Sequence, residues 1–134
     1  MNTGLHTVFV YGTLKRGYWN NRRLANSEFV GQATTMSLFH LRNIGFPIAY
    51  LDGPTLRSVK GELWRVDDAT LASLDSLEGV PHHYQRIKIQ VFNGKGPVKA
   101  WIYVQDGDRL NGGECSTEDG CYVWWDGHRE QEDN

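Results

Sequence analysis

Residues 84–104 hold the pattern that most narrows what this chain can become. Ile87, Ile89 and Val91 alternate with Arg86, Lys88 and Gln90, and Val98, Ala100, Ile102 and Val104 alternate with Lys99, Trp101 and Tyr103. A period of two belongs to a strand with one face on a core and the other turned outward. Between the two runs stands Asn93-Gly94, a pair that tolerates positive φ and favours a hairpin turn. The register stays open. With Asn93 and Gly94 alone in the loop, Tyr84 lies opposite Tyr103; a loop that also takes in Lys95 and Gly96 sets Arg86 opposite Tyr103. In either case Tyr84, Arg86 and Tyr103 share one face, because side chains alternate strictly along a strand.

Other short β-like runs precede the hairpin. Residues 8–10 are β-branched and aromatic, and residues 28–35, 37–42, 48–51 and 59–66 read as further strands, with Phe29, Val30, Leu38 and Leu41 as core candidates. Gly45-Phe46-Pro47 interrupts the pattern and Asp52-Gly53-Pro54 is a turn signal. Residues 18–25 read as a loop followed by a short surface helix. One longer helix is expected from Asp67 or Asp68 to Leu77, with an Asp to cap its first N–H groups and Gly79 and Pro81 to stop it. At 100° per residue Leu71, Leu74 and Glu78 fall within roughly 60° of one another, with Asp75 beside them. A carboxylate on the apolar face is the oddity that periodicity exposes. It either serves a site or turns aside to solvent or to Arg86. Many short strands with one helix inserted predict a single-domain α+β fold whose sheet curls toward a barrel.

The chain has 134 residues, long enough to bury a core without metal or disulfide staples. Fourteen Lys and Arg against sixteen Asp and Glu give a net charge of −2, which does not suit general nucleic-acid binding. No basic segment leads into an apolar run and no long apolar stretch occurs, so neither signal peptide nor membrane span is expected. A cytoplasmic monomer is expected. Cys115 and Cys121 then read as reduced thiols, with a loop-closing disulfide as the alternative. Residues 1–110 are expected to form the domain and residues 111–134 a C-terminal extension that packs partly on it through Trp124 and Trp125. Residues 128–134 are charged and read as a frayed end.

Three spaced motifs stand out: Val8-Phe9-Val10-Tyr11-Gly12-Thr13-Leu14-Lys15-Arg16-Gly17; Lys60-Gly61-Glu62-Leu63-Trp64, running into Leu74-Asp75-Ser76-Leu77-Glu78; and Tyr84-Gln85-Arg86. The first is a strand stopped by a tight turn. Its released N–H groups need partners, which makes it a candidate cradle for an anion or oxyanion. In order and spacing the three resemble the gamma-glutamyl cyclotransferase superfamily, in particular its gamma-glutamylamine cyclotransferase and AIG2-like branch, over residues 7–104. The resemblance implies a compact mixed-β, barrel-like fold around a small cavity. It implies cyclisation of a gamma-glutamyl group to 5-oxoproline with release of the attached amine. Carried over by position, Glu78 is the catalytic carboxylate, Tyr11, Gly12, Thr13 and Leu14 cradle the substrate, and Tyr84 and Tyr103 line the cavity.

These residue types suit that chemistry. The substrate's own α-amine attacks the γ-carbonyl, so no protein nucleophile and no cofactor or metal is required. One carboxylate can take a proton from the α-ammonium and return one to the departing amine. On an apolar helix face near the negative helix end, Glu78 is expected to hold its proton toward neutral pH. Arg86 is a candidate for the substrate carboxylate, and equally a partner for Glu78 or Asp75. His82-His83 lacks an evident third ligand for a metal. The leaving amine is expected outside the gamma-glutamyl pocket, where Trp19, the loop around Phe46 and the Trp124-Trp125 tail are candidates to set selectivity. Two alternatives stand beside this reading: a non-catalytic module that binds a small acid or amide in the same fold, and removal of a gamma-glutamyl group from a specialised metabolite or modified macromolecule.

Overall fold

The structure is a computed structural model that describes residues 4–124; Trp125 and residues 128–134 lie outside them. In chain order the elements are β1 (Leu5–Val10), a short 3-10 helix (Asn21–Leu24), β2 (Glu28–Thr35), β3 (His40–Asn43), β4 (Pro47–Tyr50), β5 (Lys60–Asp67), α1 (Asp68–Glu78), β6 (Gln85–Phe92), β7 (Pro97–Val104) and the two-residue strands β8 (Gly113–Glu114), β9 (Thr117–Glu118) and β10 (Cys121–Tyr122). Strands β1, β5, β2, β6 and β7 close into a barrel in that order. Closure comes from β1 meeting β7 in parallel, Val8 opposite Trp101. The α+β barrel expected from the pattern is thus the fold.

The central hairpin takes the longer loop. Phe92 pairs with Pro97 and Arg86 with Tyr103, so residues 93–96 make the turn. The side-chain oxygen of Asn93 accepts from the N–H groups of Lys95 (2.8 Å) and Gly96 (3.0 Å), which satisfies donors that a two-residue loop would not hold. Two core expectations fail. Val30 and Leu38 are exposed: a bulge between Phe29 and Gly31 shifts the register of β2 and leaves Val30 facing outward, and β3 begins only at His40, with Leu38 still in the connection.

Helix α1 is bounded by the predicted signals. Asp67 accepts from the Thr70 N–H at 2.8 Å, and Gly79, at φ 68°, ends the helix with its N–H on the Asp75 and Ser76 carbonyls. Leu71 and Leu74 are buried among Val8, Val10, Trp64 and Val66. At about 2 kcal/mol for each leucine removed from water, this pins the helix across β1 and β5 and fixes which way its last turn points. A second cluster fills the barrel with Phe9, Leu63, Ile89, Val91 and Ile102. Cys115, Tyr122 and Trp124 belong to that cluster, β8 pairs with β3, and Tyr122 bridges to Val59. Cys115 and Cys121 are both free thiols, and burial pushes the Cys115 thiol up to about 12. Among the described residues no helix is long and apolar enough to cross a membrane.

Candidate active site

The turn after β1 is fastened from behind. The Glu62 carboxylate, on β5, accepts from the Arg16 N–H (3.0 Å), Arg16 Nε (3.3 Å) and the Trp64 indole N–H (3.2 Å). The first two motifs are therefore in contact. Lys15 is buried and donates to the Trp124 carbonyl at 2.7 Å, away from the cavity side. The Tyr11 hydroxyl donates to the Tyr103 carbonyl (2.7 Å) and accepts from the Ala49 N–H (3.2 Å), tying β1 to β7 and β4. Gly12 is required by packing: a Cβ there would lie 2.8 Å from Pro47 Cγ. Its freedom admits Pro47, not a ligand, to that side of the backbone.

With its far side anchored, the turn presents its near side to a cavity of about 250 Å³. Tyr11, Gly12, Thr13 and Leu14 form one wall; Glu78, Tyr84 and Tyr103 form another. Among the described residues the N–H groups of Gly12, Thr13 and Leu14 make no hydrogen bond to the protein. Thr13 Oγ1 accepts from Asn20 Nδ2 at 2.9 Å, so its own proton stays available as a donor. The cavity wall is thus a row of donors ready for a carboxylate or a developing oxyanion.

Opposite them stands Glu78. The carboxylate is half-buried at the end of α1 and makes no hydrogen bond or ion pair among the described residues. Burial raises its carboxyl from the ordinary 4.5 to about 7, against the opposing pull of the Arg23 guanidinium. Burial also drives the Tyr84 phenol well upward, helped by the nearby charge of Glu78, so Tyr84 stays protonated. Its hydroxyl, too, has no protein partner among the described residues.

The third motif divides. Tyr84 and Tyr103 line the cavity, but Arg86 is not among its lining residues. The Arg86 guanidinium is engaged with Asp75, Nε to Oδ1 at 2.7 Å and Nη2 to Oδ2 at 3.0 Å, and it lies over the Trp101 ring at 4.2 Å. Tyr103 donates to Asp75 Oδ1 at 2.8 Å. Of the alternatives for Arg86, the structure therefore realises the pairing with Asp75. Arg86 thus braces the helix that carries Glu78 and lies outside the cavity lining. His83 stands at the cavity edge and His82 does not. Asn20, Pro47, Leu77 and His83 also line the cavity, a role the sequence does not assign to them, since their places there come from separate elements.

A larger hollow of about 550 Å³ lies on the other side of the turn, lined in part by Lys60, Glu62, Glu114 and Cys115. Its charges are committed to one another: Lys60 pairs with Glu118 and Asp119, Glu62 with Arg16, and Glu114 accepts from the Tyr122 hydroxyl. Size alone favours this hollow, but among the described residues it is the smaller cavity that sets a carboxylate without a hydrogen-bond partner against N–H groups without one. A site in wait of a ligand has that signature.

The family model described as "Gamma-glutamyl cyclotransferase, AIG2-like" matches residues 8–125. A gamma-glutamylcyclotransferase family protein of Escherichia coli is 35% identical over 98 residues, covering 72% of this chain and 80% of that protein. The gamma-glutamylaminecyclotransferase of Rattus norvegicus is 37% identical over 94 residues, 63% of this chain and 62% of that one. The crystal structure of an AIG2-like protein from Mus musculus superposes with a TM-score of 0.69 at 30% identity, covering 76% of this chain and 78% of that one.

Proposed function

We propose that this chain, which belongs to the AIG2-like gamma-glutamyl cyclotransferase family, converts a gamma-glutamyl amine or amide to 5-oxoproline and the free amine. The observation that carries the proposal is the meeting, at one small cavity, of a half-buried Glu78 with the N–H groups of Gly12, Thr13 and Leu14, all without a hydrogen-bond partner among the described residues.

The substrate's α-carboxylate and γ-carbonyl are both acceptors, and the donor wall suits them. Its α-ammonium is a donor, and Glu78 is the acceptor left for it. Glu78 removes a proton from the α-ammonium, and the freed amine attacks the γ-carbonyl to close a five-membered ring. The tetrahedral oxyanion is held by the turn N–H groups. Collapse breaks the bond to the departing nitrogen, which receives the proton that Glu78 took; the second proton on the ring nitrogen follows through the same carboxylate, so the lactam keeps one N–H and the amine leaves as its ammonium. Tethering supplies proximity, so the protein's work is proton transfer and charge stabilisation. A carboxyl poised near 7 can serve in both directions. Asp75, held by Arg86 and Tyr103, is already committed and keeps the last turn of α1 in place.

The test is mass-spectrometric detection of 5-oxoproline with the co-product amine across a gamma-glutamyl library, with the native chain and with Glu78→Gln. The variant is expected to keep the fold and release no 5-oxoproline above background; full activity in it would remove Glu78 as the base, and a native chain that releases none would be a binding module. As the base must be deprotonated to start, kcat/KM should fall about tenfold per pH unit below 7 and level off above it. A profile flat from pH 5 to 8 would exclude Glu78 as the base.

A further inference from the structure

The residues lining the cavity divide sharply by exposure. Phe9, Val10, Leu14, Tyr84 and Tyr103 form a buried floor, whereas Trp19, Phe46 and Leu77 are 50%, 39% and 36% exposed at its rim. These three come from different places: the loop after the turn, the β3–β4 connection and the last turn of α1. Large apolar side chains gathered at a cavity mouth from separate elements mark a surface kept apolar for contact.

The two aromatic walls are also held in place and tied to each other. Trp19 sits edge-on to Trp124 at 6.2 Å and to Tyr18 at 6.4 Å. The Trp124 indole N–H donates to Asn43 Oδ1 at 3.0 Å, and the same oxygen accepts from the Gly45 N–H at 3.0 Å. Ile44 N–H donates to the Phe46 carbonyl, closing the tight connection that carries the Phe46 ring. Trp124 thus braces the Trp19 wall directly and the Phe46 wall through Asn43. An exposed ring that is already ordered binds without further loss of side-chain freedom.

From this arrangement we infer that the leaving group is an uncharged, apolar amine, aryl or alkyl, received between Trp19 and Phe46. This rests on the cyclotransferase reading, which places the γ-glutamyl part against the donor wall and Glu78 and sends the amine out through the mouth. Among the described residues the cavity's lining includes no Lys or Arg, and no carboxylate besides Glu78. A leaving amino acid would bring its carboxylate against apolar rings with no cation to receive it, an uncompensated desolvation. A polyamine would bring a second ammonium against the same apolar rings, likewise desolvated without a partner there. Arg23 is exposed and outside the lining, so it offers a leaving carboxylate no contact there.

The experiment compares initial rates of the full chain on four substrates: γ-glutamyl methylamide, γ-glutamyl 2-phenylethylamide, γ-glutamyl putrescine and γ-glutamyl alanine. The phenylethylamide is expected to have the highest kcat/KM, exceeding the methylamide by about tenfold, the scale of one aromatic contact pair. Trp19→Ala and Phe46→Ala should each reduce the phenylethyl-to-methyl ratio several-fold, and Trp19→Phe should restore most of it. Equal rates on the two amides, a ratio that survives both alanine variants, or preference for the putrescine or alanine substrate would overturn the inference while leaving the cyclotransferase reading intact. Turnover of none of the four would remove that reading, and the inference with it.

Discussion

Glu62 and Glu78 are both carboxylates drawn into the body of the protein, on adjoining elements, and the fold treats them in opposite ways. Glu62, 3% exposed, is wrapped by donors from Arg16 and Trp64. Glu78 has no protein partner among the described residues and holds its proton up to about 7. Each observation by itself is ordinary; the contrast identifies the site. A buried charge that serves the fold is saturated, because its desolvation is otherwise uncompensated. A carboxyl left bare in a cavity costs stability, and a chain keeps it where binding or catalysis requires it.

Several substitutions would break or sharpen that contrast. Removing the base with Glu78→Gln should lower 5-oxoproline formation by on the order of 10³-fold, the range of general acid–base contributions, while denaturant melts show a folded protein. The same variant tests the cost of the bare carboxyl. Below pH 4.5 folded and unfolded chains both keep the Glu78 proton; between 4.5 and 7 the unfolded chain releases it first, so native stability falls as pH rises; above 7 the deficit is constant. The variant should therefore be more stable than the native chain by up to about 3 kcal/mol at pH 8 and indistinguishable at pH 4. A gain already present at pH 4 would assign it to packing. Glu62→Ala should move the other way, with a loss of roughly 2 kcal/mol in urea unfolding, as it strands the Arg16 and Trp64 donors. It should also raise KM, since Arg16 fastens the substrate-facing turn; a rise in neither would make Glu62 a bystander. Smallest, Asp75→Asn should cost about 1 kcal/mol and lower kcat more than it raises KM, because it loosens the helix end that aims Glu78.

Much of this was readable before any coordinates. The hairpin, the helix and its Asp and Gly boundaries follow from local rules, as period and capping are properties of neighbouring residues. Periodicity also placed Glu78 on the apolar face of α1. Where long-range geometry intervened, local reading failed: the bulge at Phe29 and Gly31 turned Val30 out, and the loop of four residues that set Arg86 opposite Tyr103 could not be chosen over two. Arg86 looked available for substrate because its partner Asp75 lies on another element. That Gly12 must lack a side chain is set by Pro47 of β4, whose Cγ stands where a Cβ would reach.

The sequence by itself determined the α+β barrel, the helix that carries the carboxylate, and a strand ending in a turn with donors to spare. All depend on spacing along the chain. Only the tertiary structure decided that Glu78 would be left without a partner among the described residues while Glu62 and Asp75 were given theirs, and that Trp19 and Phe46 would line one cavity. The physical reason is that satisfaction and burial are set by whichever groups the closed barrel brings within hydrogen-bond reach, and these come from positions far apart in the sequence.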